Sequence, residues 1–144
     1  MYSHYDYNHI DYRRVVMRVF KSKSFNKFSI NEGITDEQLV NVVREMEDGL
    51  FEADLGGCVY KKRIATKGQG KSGSTRNIIA MKEADRVVFM IGYKKNTVKK
   101  SGKEISDKEL RELKSMAQTY FGIDLNKIKS DSKALIEVKY ERYS

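Results

Sequence analysis

Between residues 58 and 93, three stretches with strand character follow one another, joined by connections too short for a crossover helix. Residues 58–65 read CVYKKRIA, residues 75–81 read TRNIIAM and residues 86–93 read RVVFMIGY. Parallel neighbours need a connection of about a dozen residues or more, so these short links favour antiparallel pairing. In the first strand, alternation sets Tyr60, Lys62 and Ile64 on one side. Val59, Lys61, Arg63 and Ala65 fall on the other. The chain is thereby committed to a small antiparallel sheet before any helix is considered.

Helical patterns lie on both sides of that block. Residues 21–32 place Phe25, Phe28 and Ile30 at roughly helical spacing, and Gly33 is a natural stop. Thr35 and Gln38 form a capping box, in which the hydroxyl accepts from the amide three residues on and Gln38 reaches back. Leu39, Val43, Met46 and Leu50 then continue one apolar stripe, and Gly49 marks its end. A second capping box, Ser106 with Glu109, opens a helix with Leu110, Leu113, Ala117, Tyr120 and Phe121 as its stripe. Residues 15–20 and 134–140 read as further strands, and 124–130 as a short helix. Met81, Phe89, Met90 and Ile91 are core candidates. The expected class is α+β: a small, mainly antiparallel sheet with helices packed on one face. A length of 144 residues fits one domain, spanning 16–144, after an N-terminal extension at 1–15.

Several function classes drop out on composition. No run of about 18 apolar residues exists, so no spanning helix and no membrane partner are expected. The first residues lack the apolar stretch of a secretory signal. The single cysteine, Cys58, fits a reducing, cytoplasmic compartment and is expected as a small buried residue. Both histidines, His4 and His9, lie in the first ten residues, so chemistry in the body of the chain proceeds without histidine. No cluster of acids and histidines suggests a metal, and no cofactor is expected. The net charge of +8 is unevenly spread. Residues 31–57 carry one basic and eight acidic groups, net −7, whereas residues 58–104 carry thirteen basic and three acidic groups, net +10. Such a local positive field attracts phosphates.

Residues 65–72, ATKGQGKS, match the looser form of a nucleotide phosphate-binding loop. That motif runs into a helix, whereas here a strand pattern follows, so nucleotide hydrolysis is not expected. The glycines still let backbone amides approach an anion, and Lys67, Lys71 and Arg76 add charge.

The ordered combination GITDEQL, DGLFEADLGGCVYKKRIATKGQGKSGSTR and VVFMIGYKKN, followed by SDKELRELKSMA and LIEV, resembles the RelE/ParE superfamily of bacterial toxins, in particular its HigB-like branch. The resemblance spans roughly residues 16–138 and implies a RelE-like fold. It departs from the common pattern at Ser74, where a second glycine is frequent, and at Lys94, where small residues often stand. It implies a ribosome-dependent messenger-RNA endonuclease, the toxin of a type II toxin–antitoxin pair. The implied partners are the ribosome, mRNA and a cognate antitoxin, expected to be of helix-turn-helix type.

RNA can be cut by its own 2′-hydroxyl, which leaves a cyclic phosphate and a free 5′-hydroxyl. A catalyst must then assist two proton transfers and stabilise an anionic phosphorane. Without histidine or a metal cluster, Lys, Arg and Tyr remain. Arg63 and Arg76 would hold the scissile phosphate through their guanidinium forks. Lys61, Lys71 or Lys95 would tune or move protons, and Tyr93 would stack on a base or act as acid or base. Lys62, Lys67, Lys71, Lys94, Lys99 and Lys100 are further candidate RNA contacts. Two other readings stay open: a ParE-like, gyrase-directed binder, and an RNA-binding regulator that has lost catalysis.

Overall fold

The computed structural model describes residues 17–68, 71–94, 105–128 and 134–139. The extension at 1–15 lies outside them. Six strands form one sheet: β1 (Arg18–Ser22), β2 (Ala53–Gly56), β3 (Val59–Gly68), β4 (Lys71–Lys82), β5 (Arg86–Lys94) and β6 (Leu135–Glu137), in the order β2-β3-β4-β5-β1-β6. All neighbours are antiparallel except β1 and β5, which run parallel. Three α-helices complete the chain: α1 (Lys23–Glu32), α2 (Asp36–Glu47) and α3 (Asp107–Phe121). The α+β class and the mainly antiparallel sheet are those expected from the sequence.

The helix boundaries have local causes. Ser22 ends β1 and caps α1: its Oγ accepts from the Phe25 amide at 3.0 Å and donates to the Met90 carbonyl at 2.7 Å. Both expected capping boxes are present, at Thr35–Gln38 and Ser106–Glu109. Gly33, at φ 70°, closes α1, with the Ile34 amide donating back to the Ser29 carbonyl at 2.8 Å. Gly49, at φ 81°, closes α2 the same way, with the Leu50 amide reaching the Glu45 carbonyl at 2.9 Å. Leu50 therefore lies past the helix end and is 51% exposed, so it does not continue the stripe of Leu39, Val43 and Met46.

The sheet has a core on each face. Leu39, Val43 and Met46 of α2 and Phe25 of α1 pack with Val19, Ile64, Ile79, Val87 and Phe89. On the other face, Leu113 and Ala117 of α3 pack with Phe20, Val59, Ile78, Ala80, Val88 and Met90. So α1 and α2 share one face as expected, and α3 covers the opposite one. An apolar helical stripe specifies burial but not which side of a sheet provides it. Buried Arg86 ties α3 down from below, donating through Nη1 to the Tyr120 and Ile123 carbonyls at 2.9 and 2.6 Å. Tyr120 is in the last turn of α3, where its carbonyl also accepts the Ile123 amide at 3.3 Å.

Other segments differ from the sequence reading. β2 was not anticipated; four residues without a buried side chain leave little period to detect. Residues 66–74 were expected as a loop, but β3 and β4 extend through them, with Lys67 opposite Ser72 and Gly68 opposite Lys71. This hairpin arm has no helix after it, so the geometry of a nucleotide phosphate-binding loop is absent there. Within 124–130 the described helix is a single 3-10 turn, Leu125–Lys127. Cys58 is exposed, not buried, because it occupies the two-residue turn between β2 and β3. Gly57 and Cys58 both have φ 64° there, the geometry that matches hairpin twist. No helix among the described residues is long and apolar enough to cross a membrane.

Candidate functional site

The cationic side chains predicted from the β3 alternation assemble on the α3 face of the sheet. Arg63 on β3 stands directly opposite Arg76 on β4, and Arg76 stands opposite Tyr93 on β5. Three neighbouring strands thus carry one lateral row, Arg63–Arg76–Tyr93. Lys61 shares the face one rung further in, opposite Ile78. Directly opposed side chains on antiparallel strands have Cβ atoms about 4.5–5.5 Å apart, and like charges so placed repel. Arg63 and Arg76 thus bring two positive charges to one rung, a place suited to an anion.

Tyr93 reaches this row only because β5 is irregular. Ile78 pairs with Ile91, but Ile79 pairs with Phe89, so Met90 is an extra residue in β5. Strict alternation would put Tyr93 on the same side as Val87 and Phe89, which belong to the α1/α2 core. The bulge shifts the phase by one, and Ile91 and Tyr93 join the α3 side. Re-aiming a side chain is what a bulge does next to a site.

The rung after the bulge is locked from the other face. Asn77 is fully buried and opposite Gly92. Its Nδ2 donates to the Lys62 carbonyl at 3.1 Å and to Thr75 Oγ1 at 3.0 Å. Its Oδ1 has no hydrogen-bond partner and sits against Gly92, where an added Cβ would lie 2.9 Å away. The Phe28 ring from α1 closes over the same glycine, at 2.3 Å from such a Cβ. Only a glycine accommodates both neighbours, and this rung adjoins Arg76–Tyr93. Sequence reasoning passed over Asn77 and Gly92; their role depends on β4–β5 register and on α1 packing.

Arg76 itself is 4% exposed, and its Nη1 donates to Ser74 Oγ at 3.2 Å. Arg63 is exposed; its backbone amide donates to Glu52 Oε2 at 3.1 Å, which anchors the outer edge of β3 beyond the end of β2. Gln38 covers the same edge by donating to the Ala65 carbonyl at 3.1 Å. Among the described residues, no three His, Cys, Asp or Glu side chains come together to hold a metal ion.

Other predicted cations are not part of the row. Lys62, expected as an RNA contact, faces α2, is 7% exposed and pairs with Glu45 at 3.3 Å. Its neighbours Lys61 and Arg63 point the opposite way, so alternation itself removes it from the site. Lys94 also lies on the α1 side, where it pairs with Glu32 at 3.3 Å. Lys67 and Lys71 belong to the hairpin arm beyond the row. Lys95, Lys99 and Lys100 lie outside the described residues.

A family model described as RelE toxin of the RelE/RelB toxin–antitoxin system matches residues 17–138. No curated protein matches the chain.

Proposed function

The chain belongs to the RelE toxin family, and we propose that it is a ribosome-dependent endonuclease that cuts messenger RNA and so stops translation. The observation that carries this reading is the Arg63–Arg76–Tyr93 row, a cationic rung next to a phenol with Lys61 beside it. The scissile phosphate would lie between the two guanidiniums, whose donors match its non-bridging oxygens and the extra charge of the phosphorane. Lys61 would favour loss of the 2′-hydroxyl proton to water by its positive charge, as the 2′-oxygen bonds to phosphorus and the bond to the 5′-oxygen breaks. Tyr93 would stack on an adjacent base or donate to the leaving 5′-oxygen. The motif order from LGG through KKN favours the HigB-like branch within the family. The cytoplasmic partners in this reading are the ribosome, mRNA and a cognate antitoxin, whose neutralising contact would cover the basic face.

Induced expression tests the reading. Protein synthesis is expected to stop with the parent chain and to continue with Arg63→Ala or Arg76→Ala, while a co-expressed antitoxin restores growth. If both variants arrest growth as strongly as the parent, the row is not the active site. If a DNA-damage response appears in place of message cleavage, the chain acts as a gyrase-directed toxin.

A further inference from the structure

We propose that Ser74 is a positioning residue that fixes the guanidinium of Arg76; its part in cleavage rests on the functional reading above. Ser74 and Arg76 are two residues apart on β4, so they share the α3 face. The 3.2 Å bond from Arg76 Nη1 to Ser74 Oγ draws the long side chain back along its own strand, towards the hairpin arm. It is thereby held away from Ile78, which lies in the opposite direction on the same face. Across from Ser74 stands Ala65, whose methyl leaves room for a guanidinium over that rung.

The bond commits one donor of the guanidinium and so limits how the fork can turn. A guanidinium has five N–H donors in a rigid fork, and a bidentate grip on two phosphate oxygens uses one edge. Holding Nη1 on Ser74 orients the plane of the fork before substrate arrives. Arg76 is nearly buried, so a displaced guanidinium has little water to turn to, and the hydroxyl has a strong preference to enforce. Small displacements of a charge-stabilising group are costly; a 1 Å misplacement reduces rates by up to about a hundredfold.

Thr and Val at position 74 have the same shape and strand preference and differ by the hydroxyl, so the pair isolates the bond. In the full chain, Ser74→Thr is expected to cut mRNA on programmed ribosomes at close to the parent rate. Ser74→Val is expected to lose kcat by about ten- to a hundredfold, with KM for the ribosome complex unchanged. Ser74→Val should melt somewhat below Ser74→Thr, because a donor of the nearly buried guanidinium loses its acceptor, so cleavage is compared well below both melting ranges. Side-chain NMR of the free protein gives an independent readout: rotation of the Arg76 guanidinium, assigned by its loss in Arg76→Lys, should be slow in the parent and Ser74→Thr and fast in Ser74→Val. In an Arg76→Lys background, Ser74→Val should have no further effect. Equal kcat and equal guanidinium rotation in the Thr and Val variants would overturn the proposal. A parent that cuts no RNA would sink the functional reading alone, and the NMR comparison would still decide whether Ser74 positions Arg76.

Discussion

Replacing Gly92 by alanine probes how the site is held. The backbone of Gly92 is not left-handed, so the added methyl meets a steric obstacle and no conformational one. That methyl would lie 2.3 and 2.4 Å from Cε2 and Cδ2 of Phe28 and 2.9 Å from Asn77 Oδ1. Carbon atoms pack at about 3.5 Å or more, so the ring must withdraw by about 1.2 Å. Phe28 is half-buried and can swing outward, which places the overpacking cost at about 1–3 kcal/mol. The swing also opens its contact with Phe25, now 6.1 Å between ring centroids, adding about 0.5–1 kcal/mol. A total near 2–3 kcal/mol lowers the melting midpoint by roughly 10 °C in a chain of this size. Because Gly92 neighbours Tyr93, cleavage measured well below the melting range should fall as well. In a Phe28→Ala background the same methyl should lose most of its penalty, since the ring it meets is gone. A Gly92→Ala protein that melts with the parent, or that is equally harmed in the Phe28→Ala background, would refute the packing of Phe28 over this rung.

Three further substitutions separate function from stability. Arg63→Gln removes a like charge opposite Arg76, so thermal melting should show it unchanged or more stable by about 0.2–1 kcal/mol while message cleavage is lost. Lys62→Met leaves Glu45 without its 3.3 Å partner; denaturant unfolding should show a loss of about 1–3 kcal/mol, with cleavage of the remaining folded protein unaffected. Cys58 holds a left-handed conformation at φ 64°, so Cys58→Val should lower stability by about 1 kcal/mol and Cys58→Gly should be neutral or stabilising, both read by melting.

How legible the molecule was depended on the range of the forces involved. Both capping boxes, the stops at Gly33 and Gly49 and the apolar strands β4 and β5 were readable, since each is decided within a few residues. The common face of Lys61 and Arg63 followed from alternation alone, and Arg76 joined it through the antiparallel register with β3. Lys62 was misassigned although the same alternation placed it with Tyr60 and Ile64; a buried lysine is expected only once its carboxylate partner, Glu45 on α2, is known. The parallel β1–β5 pair joins segments far apart in sequence and carries no local mark. The bulge at Met90 was invisible for a further reason: an apolar run such as VVFMI fits either phase, and only pairing with Ile78 and Ile79 fixes which side Tyr93 takes. Asn77 and Gly92 read as an ordinary polar residue and an ordinary glycine until the Phe28 ring is set over them.

The most direct test of the catalytic row is to map the new RNA ends made by purified protein on ribosomes translating a defined message. Internal transesterification leaves a 5′-hydroxyl on the downstream fragment and a cyclic phosphate on the upstream one. The expected result is 5′-hydroxyl ends inside codons held in the ribosomal A site, made by the parent chain and absent with Arg76→Ala. Ends bearing 5′-phosphate, or identical 5′-hydroxyl ends from parent and Arg76→Ala, would contradict a transesterification centred on Arg63, Arg76 and Tyr93.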